Sequence, residues 1–248
     1  MNGSDPLVLL SSREEESRLF EAAIRSLATS DRPLEILEAG CGRAWPLKVD
    51  VPFRLTGLDS NPLALEARRR RTGDLDEFVL GDLRSADLAA DRFDAIYSSF
   101  VLEHVDGAER ALANLVRWLR PGGLLLLRFP DRDSAFGFCT SHTPLWMHVA
   151  YRRWVIGFRD AGKPGHGPYP AYYDAVVSRS GFRGFCAEYG LAVCEERGFP
   201  FEFRRFGWKG TLVGAVAQAV WALSGGRLSP NHNWLTYVAR KTDGTPDA

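Results

Sequence analysis

The sequence predicts an α/β fold built on a mostly parallel sheet. Two observations carry this prediction. Short apolar segments alternate with helix-forming segments from residue 34 to residue 130, a pattern typical of βαβ units. The first of these segments, Leu34–Glu38, runs into the glycine turn Gly40-Cys41-Gly42. Glycines at such a point allow a sharp turn from strand to helix and let the backbone come close to a ligand.

Seven strands are predicted in chain order. They are Leu34–Glu38, Arg54–Leu58, Glu77–Leu80, Phe93–Ser98, Gly123–Phe129, Leu191–Arg197 and Asn233–Ala239. The predicted helices run from Ser11 or Ser12 to Thr29 with Glu15 in capping-box range, from the Asn61-Pro62 cap, over Asp106–Leu119 with Asp106 as N-cap, and near 181–189 and 211–223.

Length and composition indicate a single globular domain over 1–248, because 45% of the 248 residues are hydrophobic and 25% are charged. The 31 basic and 31 acidic side chains cancel, so no global field draws the chain to nucleic acid, and nucleic-acid partners are disfavoured. Four cysteines without a C-x-x-C pair predict reduced thiols and a cytoplasmic location. The apolar run at Leu7–Leu10 is too short for the core of a signal peptide.

Residues 131–179 interrupt the regular pattern with nine aromatic side chains and three of the five histidines. We interpret this segment as a substrate cap inserted after the fifth strand. Aromatic residues such as Trp146, Trp154 and Tyr173 are expected either to line an apolar acceptor pocket or to form the core of the cap.

Acidic residues follow the first three strands. Glu38 stands two residues before Gly40, Asp59 comes 19 residues after Gly40, and Asp82 follows the third strand. A dinucleotide site would place a third glycine at position 45, which is Trp45, and the carboxylate of Glu38 would repel a pyrophosphate. The pattern favours a nucleoside cofactor that carries a cationic amino acid.

With these residues the chain resembles the class I S-adenosylmethionine-dependent methyltransferases, within the group related to ubiquinone and menaquinone biosynthesis enzymes. The matching segments are Glu38-Ala39-Gly40-Cys41-Gly42, Leu58-Asp59, Gly81-Asp82, 93–105 and Leu119-Arg120-Pro121-Gly122-Gly123. The resemblance covers residues 30–130 well and is thin over 131–230. One departure is Ala44, where the family often has a third glycine.

The resemblance implies a Rossmann-like sheet of seven strands whose last strand is antiparallel, with S-adenosylmethionine as cofactor. It places the methionine moiety of the cofactor near Glu38 and near the backbone of Gly40, Cys41 and Gly42. It places the ribose at Asp59 with Ser60 beside it, the adenine at Asp82 and Leu83, and the sulfonium near Ser98.

Three histidines are candidates for a catalytic base. His104 follows Glu103 just past the fourth strand, whereas His142 and His166 lie in the cap together with His148. For His104 a purely structural role in the methionine pocket is an equal alternative, and each cap histidine alone fits a hydrogen-bonded structural role. No histidine and carboxylate cluster has metal-ligand spacing, so no metal is expected.

Two further segments are open to more than one interpretation. The run Arg68 to Arg71 at the end of a predicted helix is interpreted as a solvated face. The apolar run Leu212 to Leu223 is interpreted first as a buried helix. Together with the aromatic and basic residues upstream, however, the region 199–223 also fits peripheral contact with a membrane.

The function predicted from these patterns is methyl transfer to an apolar small molecule. O-methylation of a phenolic or polyketide-type metabolite is our first hypothesis, and C-methylation of a quinone or lipid precursor at a membrane surface is the second. A non-catalytic S-adenosylmethionine-binding protein is a third. The sequence leaves the oligomeric state open.

Overall fold

The computed structural model describes residues 6–42, 44–163, 167–201 and 206–242. Within this part of the chain, seven strands form one sheet in the order β3-β2-β1-β4-β5-β7-β6. They are β1 (Leu34–Ala39), β2 (Phe53–Asp59), β3 (Glu77–Leu80), β4 (Phe93–Ser99), β5 (Leu119–Pro130), β6 (Leu191–Phe199) and β7 (Trp234–Lys241). β1 to β5 pair in parallel, and β7 is antiparallel to both of its neighbours. The predicted fold class is therefore confirmed, including the antiparallel last strand.

Seven α-helices accompany the sheet in the described residues. They are α1 (Arg13–Arg25), α2 (Pro62–Arg71), α3 (Ala108–Trp118), α4 (Ala135–His142), α5 (Leu145–Tyr151), α6 (Arg179–Glu188) and α7 (Gly207–Leu223). A short 3-10 turn, Leu102–His104, follows β4, and a π-helical turn, Arg152–Ile156, continues α5.

The sheet is buried on both faces because successive side chains of a strand point to opposite sides. In β1, Ile36 belongs to a core cluster that includes Phe20 of α1, whereas Leu37 belongs to a cluster that includes Leu112 of α3. All four of these side chains are essentially inaccessible to solvent. β1 also lies where the strand order reverses, between β2 and β4, so a crevice is expected at its carboxyl end.

The capping box predicted at the first helix is confirmed. Ser12 is the N-cap and its hydroxyl accepts from the backbone N–H of Glu15 at 3.1 Å, while the Glu15 carboxylate accepts from the backbone N–H of Ser11 at 2.7 Å. The helix ends at Arg25, four residues before the predicted end at Thr29.

The cap predicted for the third helix is wrong. The N-cap is Gly107 with φ 80°, and the side chain of Asp106 makes no capping bond. The backbone N–H of Ala108 instead donates to Asp174 Oδ2 at 2.7 Å. A carboxylate 66 residues away in the sequence, contributed by the segment before α6, satisfies this helix end, and spacing alone does not reveal such a partner.

The chain does not turn into a helix after the glycine turn, contrary to the prediction. Residues 44–52 contain no helix, and Pro46 and Pro52 cannot donate backbone hydrogen bonds. Trp45 packs edge-on to Tyr97 with ring centroids 5.5 Å apart, and the backbone N–H of Lys48 donates to Glu21 Oε1 at 2.8 Å. Tertiary contacts therefore hold this connection in position in place of helical hydrogen bonds.

The segment 131–179 lies between β5 and α6 and contains α4, α5 and the π-helical turn. The interpretation of the Leu212–Leu223 run as a buried helix is wrong. Of the 17 residues of α7, only Gly210 and Ala217 are buried. The predicted base His166 lies outside the described residues.

Candidate active site

The glycine turn at the end of β1 has the geometry that only glycine adopts easily. Gly40 has φ 73° and Gly42 has φ 55°, both in the left-handed region. A Cβ on Gly40 would lie 2.3 Å from Val101 Cγ2, so the turn packs directly against the segment that follows β4. A Cβ on Gly42 would meet nothing within 4 Å, so the space beside this backbone is open to a ligand.

Asp59 holds the turn from the end of β2. Its Oδ2 accepts from the backbone N–H of Gly42 at 2.9 Å, and its Oδ1 accepts from the backbone N–H of Asn61 at 2.8 Å. Each carboxylate oxygen retains capacity for a second hydrogen bond, and the side chain is only half-buried. The residue thus fits the predicted ribose acceptor, with exposed Ser60 beside it.

Glu38 is bound by an arginine that the sequence placed in solvent. Arg68 is fully buried, and its Nη1 donates to Glu38 Oε2 at 2.6 Å and to the carbonyl oxygen of Cys41 at 2.7 Å. The solvated interpretation of Arg68 is wrong, whereas Arg69, Arg70 and Arg71 are exposed as predicted. Arg68 follows buried Leu65 by three residues, which puts both on the inner face of α2, and this spacing is the signal that predicts its burial.

Arg68 connects three parts of the site. Its guanidinium also donates to both carboxylate oxygens of Asp74 at 3.0 Å, ahead of β3. Burial alone would raise the pKa of Asp74, but the bonds from Arg68 and Thr72 lower it to about 2. Burial raises the pKa of Glu38 to about 8 although Arg68 acts in the opposite direction. The contact of Glu38 with the methionine moiety stays a prediction, and one of its oxygens is engaged by Arg68.

The remaining predicted cofactor residues lie at the carboxyl ends of β1, β3 and β4. The hydroxyl of buried Ser98 donates to the carbonyl oxygen of Ala39 at 2.9 Å and so joins β4 to β1 beside the turn. The Asp82 carboxylate accepts from the Arg84 guanidinium, with the shortest distance 2.6 Å. Leu83 is buried in the core.

Cys41 contributes to the site through its backbone and not through its thiol. The side chain is buried in the core, and burial raises its pKa to about 12. A thiol with this pKa is not a nucleophile at neutral pH.

The chain after β4 bends through a strained residue. Phe100 has φ 55°, which is uncommon for a residue with a side chain, and its backbone N–H donates to the carbonyl oxygen of Arg128 at 2.8 Å. The ring lies between the guanidinium of Arg128, 4.9 Å from its centroid, and Trp234, 5.4 Å away. Strained residues are concentrated at functional sites, and this bend places Val101 against the glycine turn.

His104 is held in one tautomer by the segment that follows α5. Its Nδ1 lies 2.7 Å from the carbonyl oxygen of Pro170, and since a carbonyl only accepts, Nδ1 must carry the proton. Burial lowers the pKa of His104, which keeps the ring neutral at pH 7. Nε2 is then unprotonated and able to accept a proton.

Glu103, beside it, has an unsatisfied carboxylate oxygen. The side chain is 4% exposed, Oε2 has no hydrogen-bond partner among the described residues, and Oε1 is 3.9 Å from His104 Nε2. Burial raises the pKa of Glu103 to about 8, with Arg128 acting against the shift. The backbone N–H of Tyr172 donates to the Glu103 carbonyl at 2.8 Å, so the segment 169–173 lies directly over this acid.

Of the two other predicted bases, His142 is the one that lies in the described residues, and His148 is its neighbour in the cap. His142 is exposed at the end of α4, and its Nδ1 contacts the Phe138 carbonyl and the Ser141 hydroxyl, each at 2.9 Å. His148 contacts the Thr143 hydroxyl at 2.9 Å. None of these contacts reaches the glycine turn, whereas the backbone N–H of His104 donates to the carbonyl oxygen of Val101, the residue that packs on Gly40.

Sequence reasoning missed a second buried histidine. His232 Nε2 lies 2.6 Å from Asp131 Oδ2, and both side chains are almost inaccessible. They are 101 residues apart and meet where β5 ends and β7 is about to begin. Long-range pairs of this kind have no local sequence signal.

The family comparison agrees with this geometry, because residues 37–127 match the methyltransferase domain family model. Residues 37–127 are a methyltransferase domain. The match begins in β1 and ends in β5, so it contains the glycine turn, Asp59, Asp82, Ser98 and His104. The predicted resemblance is confirmed, and S-adenosylmethionine is the cofactor of this methyltransferase domain, as predicted.

Curated relatives match the same region. The chain is 33% identical to a malonyl-[acyl-carrier protein] O-methyltransferase of Enterobacter lignolyticus over 126 residues, which is 48% of each protein. It is 34% identical to a demethylmenaquinone methyltransferase of Renibacterium salmoninarum over 111 residues, 45% of this chain and 46% of the relative. The chain thus spans less than half the length of these two relatives.

Solved structures share the fold over most of the chain. One is a geranyl diphosphate C-methyltransferase of Streptomyces coelicolor in complex with S-adenosyl-L-homocysteine, with TM-score 0.55, 12% identity and coverage of 92% of this chain and 77% of that one. Another is an S-adenosylmethionine-dependent methyltransferase of Mesorhizobium loti, with TM-score 0.50, 18% identity and coverage of 88% and 96%. At these identities the likeness establishes the fold alone.

Proposed function

We propose that this protein transfers a methyl group from S-adenosylmethionine to a hydroxyl of an apolar small molecule of phenolic or polyketide type. The observation that carries this proposal is the fixed tautomer of His104, in the 3-10 turn that follows Val101, the residue packed against the glycine turn. A neutral imidazole with a free Nε2 is a suitable base for a hydroxyl proton.

When bound, S-adenosylmethionine would supply an electrophilic methyl group on its sulfonium, and S-adenosylhomocysteine would be the leaving group. The residues of the chain position and enclose the reactants. Asp59 accepts hydrogen bonds from the ribose, and the open backbone at Gly42 admits the ligand. Because charge disperses in this displacement, positioning and exclusion of water supply most of the acceleration.

Proton transfer is assigned to His104. The acceptor hydroxyl gives its proton to Nε2 while its oxygen forms the new bond to carbon, and the imidazolium that results lies 3.9 Å from the Glu103 carboxyl. The carbonyl of Pro170 holds the ring through Nδ1–H in both protonation states. Segment 169–173 contacts these groups through the Pro170 carbonyl and the Tyr172 N–H, and it leaves the His104 side chain 34% exposed.

The test is methyl transfer from labelled S-adenosylmethionine to a panel of phenols, polyketide-type hydroxyls and quinones. We expect a product labelled on oxygen, with turnover of the His104→Ala variant lowered by roughly 10²–10⁴-fold and cofactor affinity unchanged. His142→Ala is the matched control and should retain full turnover. A parallel loss of cofactor affinity in His104→Ala would contradict the role as base.

C-methylation of a quinone or lipid precursor at a membrane surface is a second candidate. The exposure of apolar α7 favours it, because an acceptor that partitions into lipid would be met at such a surface. Fragmentation of the labelled product separates the two candidates. A panel that yields no cofactor-dependent product while calorimetry detects cofactor binding would support the third hypothesis, a non-catalytic binding protein.

The predicted cytoplasmic location and the absence of nucleic-acid partners stay predictions. In the described residues, no helix is long and apolar enough to cross a membrane.

A further inference from the structure

Helix α7 exposes an apolar surface, which is unusual for a helix that faces water. Its sequence is apolar apart from Lys209, Thr211 and Gln218, yet it lies on the outside of the molecule. Trp208 is 75% exposed and Leu223 is 89% exposed. A helix that is apolar all round is expected to be buried in protein or in lipid.

The cap continues this surface. Lys209 Nζ of α7 donates to the carbonyl oxygen of Trp154 in the π-helical turn, so the two elements are joined. Ser134, the N-cap of α4, pairs as an isolated bridge with Ser229, beyond α7. We define the apolar face by six exposed side chains. Five have exposed fractions of 58–75%, and Leu223 is 89% exposed. The six are Trp146, Trp154, Phe158, Trp208, Leu212 and Leu223.

The charge near the apolar face is predominantly positive. The exposed Asp160, two residues after Phe158, is paired with Lys163. Residues 134–159 contain no aspartate or glutamate, and neither do residues 206–232. Arg152, Arg153, Arg159 and Arg227 are exposed in these segments. The whole chain has net charge zero, so this positive region is a local feature and not a consequence of overall composition.

We propose that the apolar face docks the protein on a membrane surface of anionic phospholipid. Tryptophan rings beside arginines match the interface, where apolar atoms enter the acyl boundary and cations remain among the headgroups. A helix of 17 residues is about 25 Å long, and it would lie in the plane of the surface. The proposal goes beyond the proposed function, since docking requires neither cofactor nor acceptor.

The test is flotation of the full chain with vesicles of phosphatidylglycerol and phosphatidylcholine, beside vesicles of phosphatidylcholine alone. We expect binding to the anionic vesicles, weakened at high salt because exposed charges are screened. Removing one cation with Arg152→Gln or Arg159→Gln should lower the binding constant about fivefold. Trp208→Ser together with Leu212→Ser should lower it at least as much.

The matched control uses exposed apolar residues far from the cap. Leu63 of α2 and Leu80 of β3 are 79% and 61% exposed, so the pair Leu63→Ser and Leu80→Ser removes similar apolar area and should leave flotation unchanged. The proposal is overturned if the wild-type chain ignores anionic vesicles. It is also overturned if sedimentation finds a dimer that Leu212→Ser dissociates, since a second copy then covers the face. Melting temperatures verify that each variant is folded.

Discussion

The two halves of this molecule differ in which side chains occupy an environment unusual for their polarity. From β1 to β4 the polar groups are buried and held by partners, as in the contacts of Arg68 with Glu38 and Asp74. From α4 to α7 large apolar groups such as Trp154 are left in solvent. The first half contains the residues of the proposed cofactor site, whereas the second contains the apolar face of the proposed membrane contact.

The largest effect is expected at the buried ion pair of the first half. Arg68→Met should lower the free energy of unfolding by roughly 3–5 kcal/mol, because Glu38 and the ionised Asp74 both lose the buried guanidinium that binds them. Urea unfolding measures this change. Arg69→Met, at an exposed neighbour, should stay within about 0.5 kcal/mol. Adding Glu38→Gln to Arg68→Met should recover part of the loss, and a loss that persists unchanged would argue against the pair.

Cofactor affinity tests whether the first half is built for a ligand. Asp59→Ala removes the acceptor of the ribose hydroxyls, and each charge-assisted bond is worth roughly 1.5–3 kcal/mol. Calorimetry with S-adenosylhomocysteine should therefore find affinity lowered at least about tenfold. Asp76→Ala is the control. The Asp76 carboxylate also accepts from a backbone N–H, that of Leu55, but it lies away from the crevice. Equal affinity in both variants would contradict the ribose assignment.

The unsatisfied acid at the boundary of the halves predicts a pH dependence. The pKa of Glu103 is raised from 4.5 to about 8, so its favourable contribution to stability is complete below pH 4.5 and lost as pH rises to 8. Glu103→Gln removes this dependence. As the pH rises from 4.5 to 8, the free energy of unfolding of Glu103→Gln should therefore increase relative to that of wild type, by on the order of 1–3 kcal/mol.

Thermal unfolding across this pH range measures the difference between the two proteins. Glu38 titrates in the same range but is present in both, so its contribution cancels. Glu66→Gln, at an exposed carboxylate, is the control and should follow the wild-type curve. A constant difference between Glu103→Gln and wild type at all pH values would show that Glu103 is not the group that titrates.

The smallest effect is expected where the second half touches the first. Asp174→Ala removes the carboxylate that accepts from the first N–H of α3, which should cost about 1 kcal/mol. Asp106→Ala, at the cap predicted from the sequence, should cost almost nothing. Chemical denaturation measures the loss of stability in both variants. A larger loss in Asp106→Ala than in Asp174→Ala would show that the local cap predicted from the sequence is the one that stabilises α3.

The sequence predicted the parts that depend on local rules. The strand that ends at the glycine turn, the acid of β2 and the Ser12 cap each depend on residues within a few positions of one another. Even the family resemblance rests on short ordered segments. The errors were at Arg68, at the helix expected after Gly42, at the α3 cap and at α7.

Two of these errors concern a partner that is distant in the sequence. Arg68 is buried because Glu38 lies 30 residues before it, and Ala108 is capped by a residue 66 positions later. The sequence by itself therefore determined the sheet and the acidic strand ends that suit the cofactor. Only the tertiary structure decided which charges are neutralised inside and that α7 stays outside, because burial depends on the complete set of neighbours that the folded chain brings together.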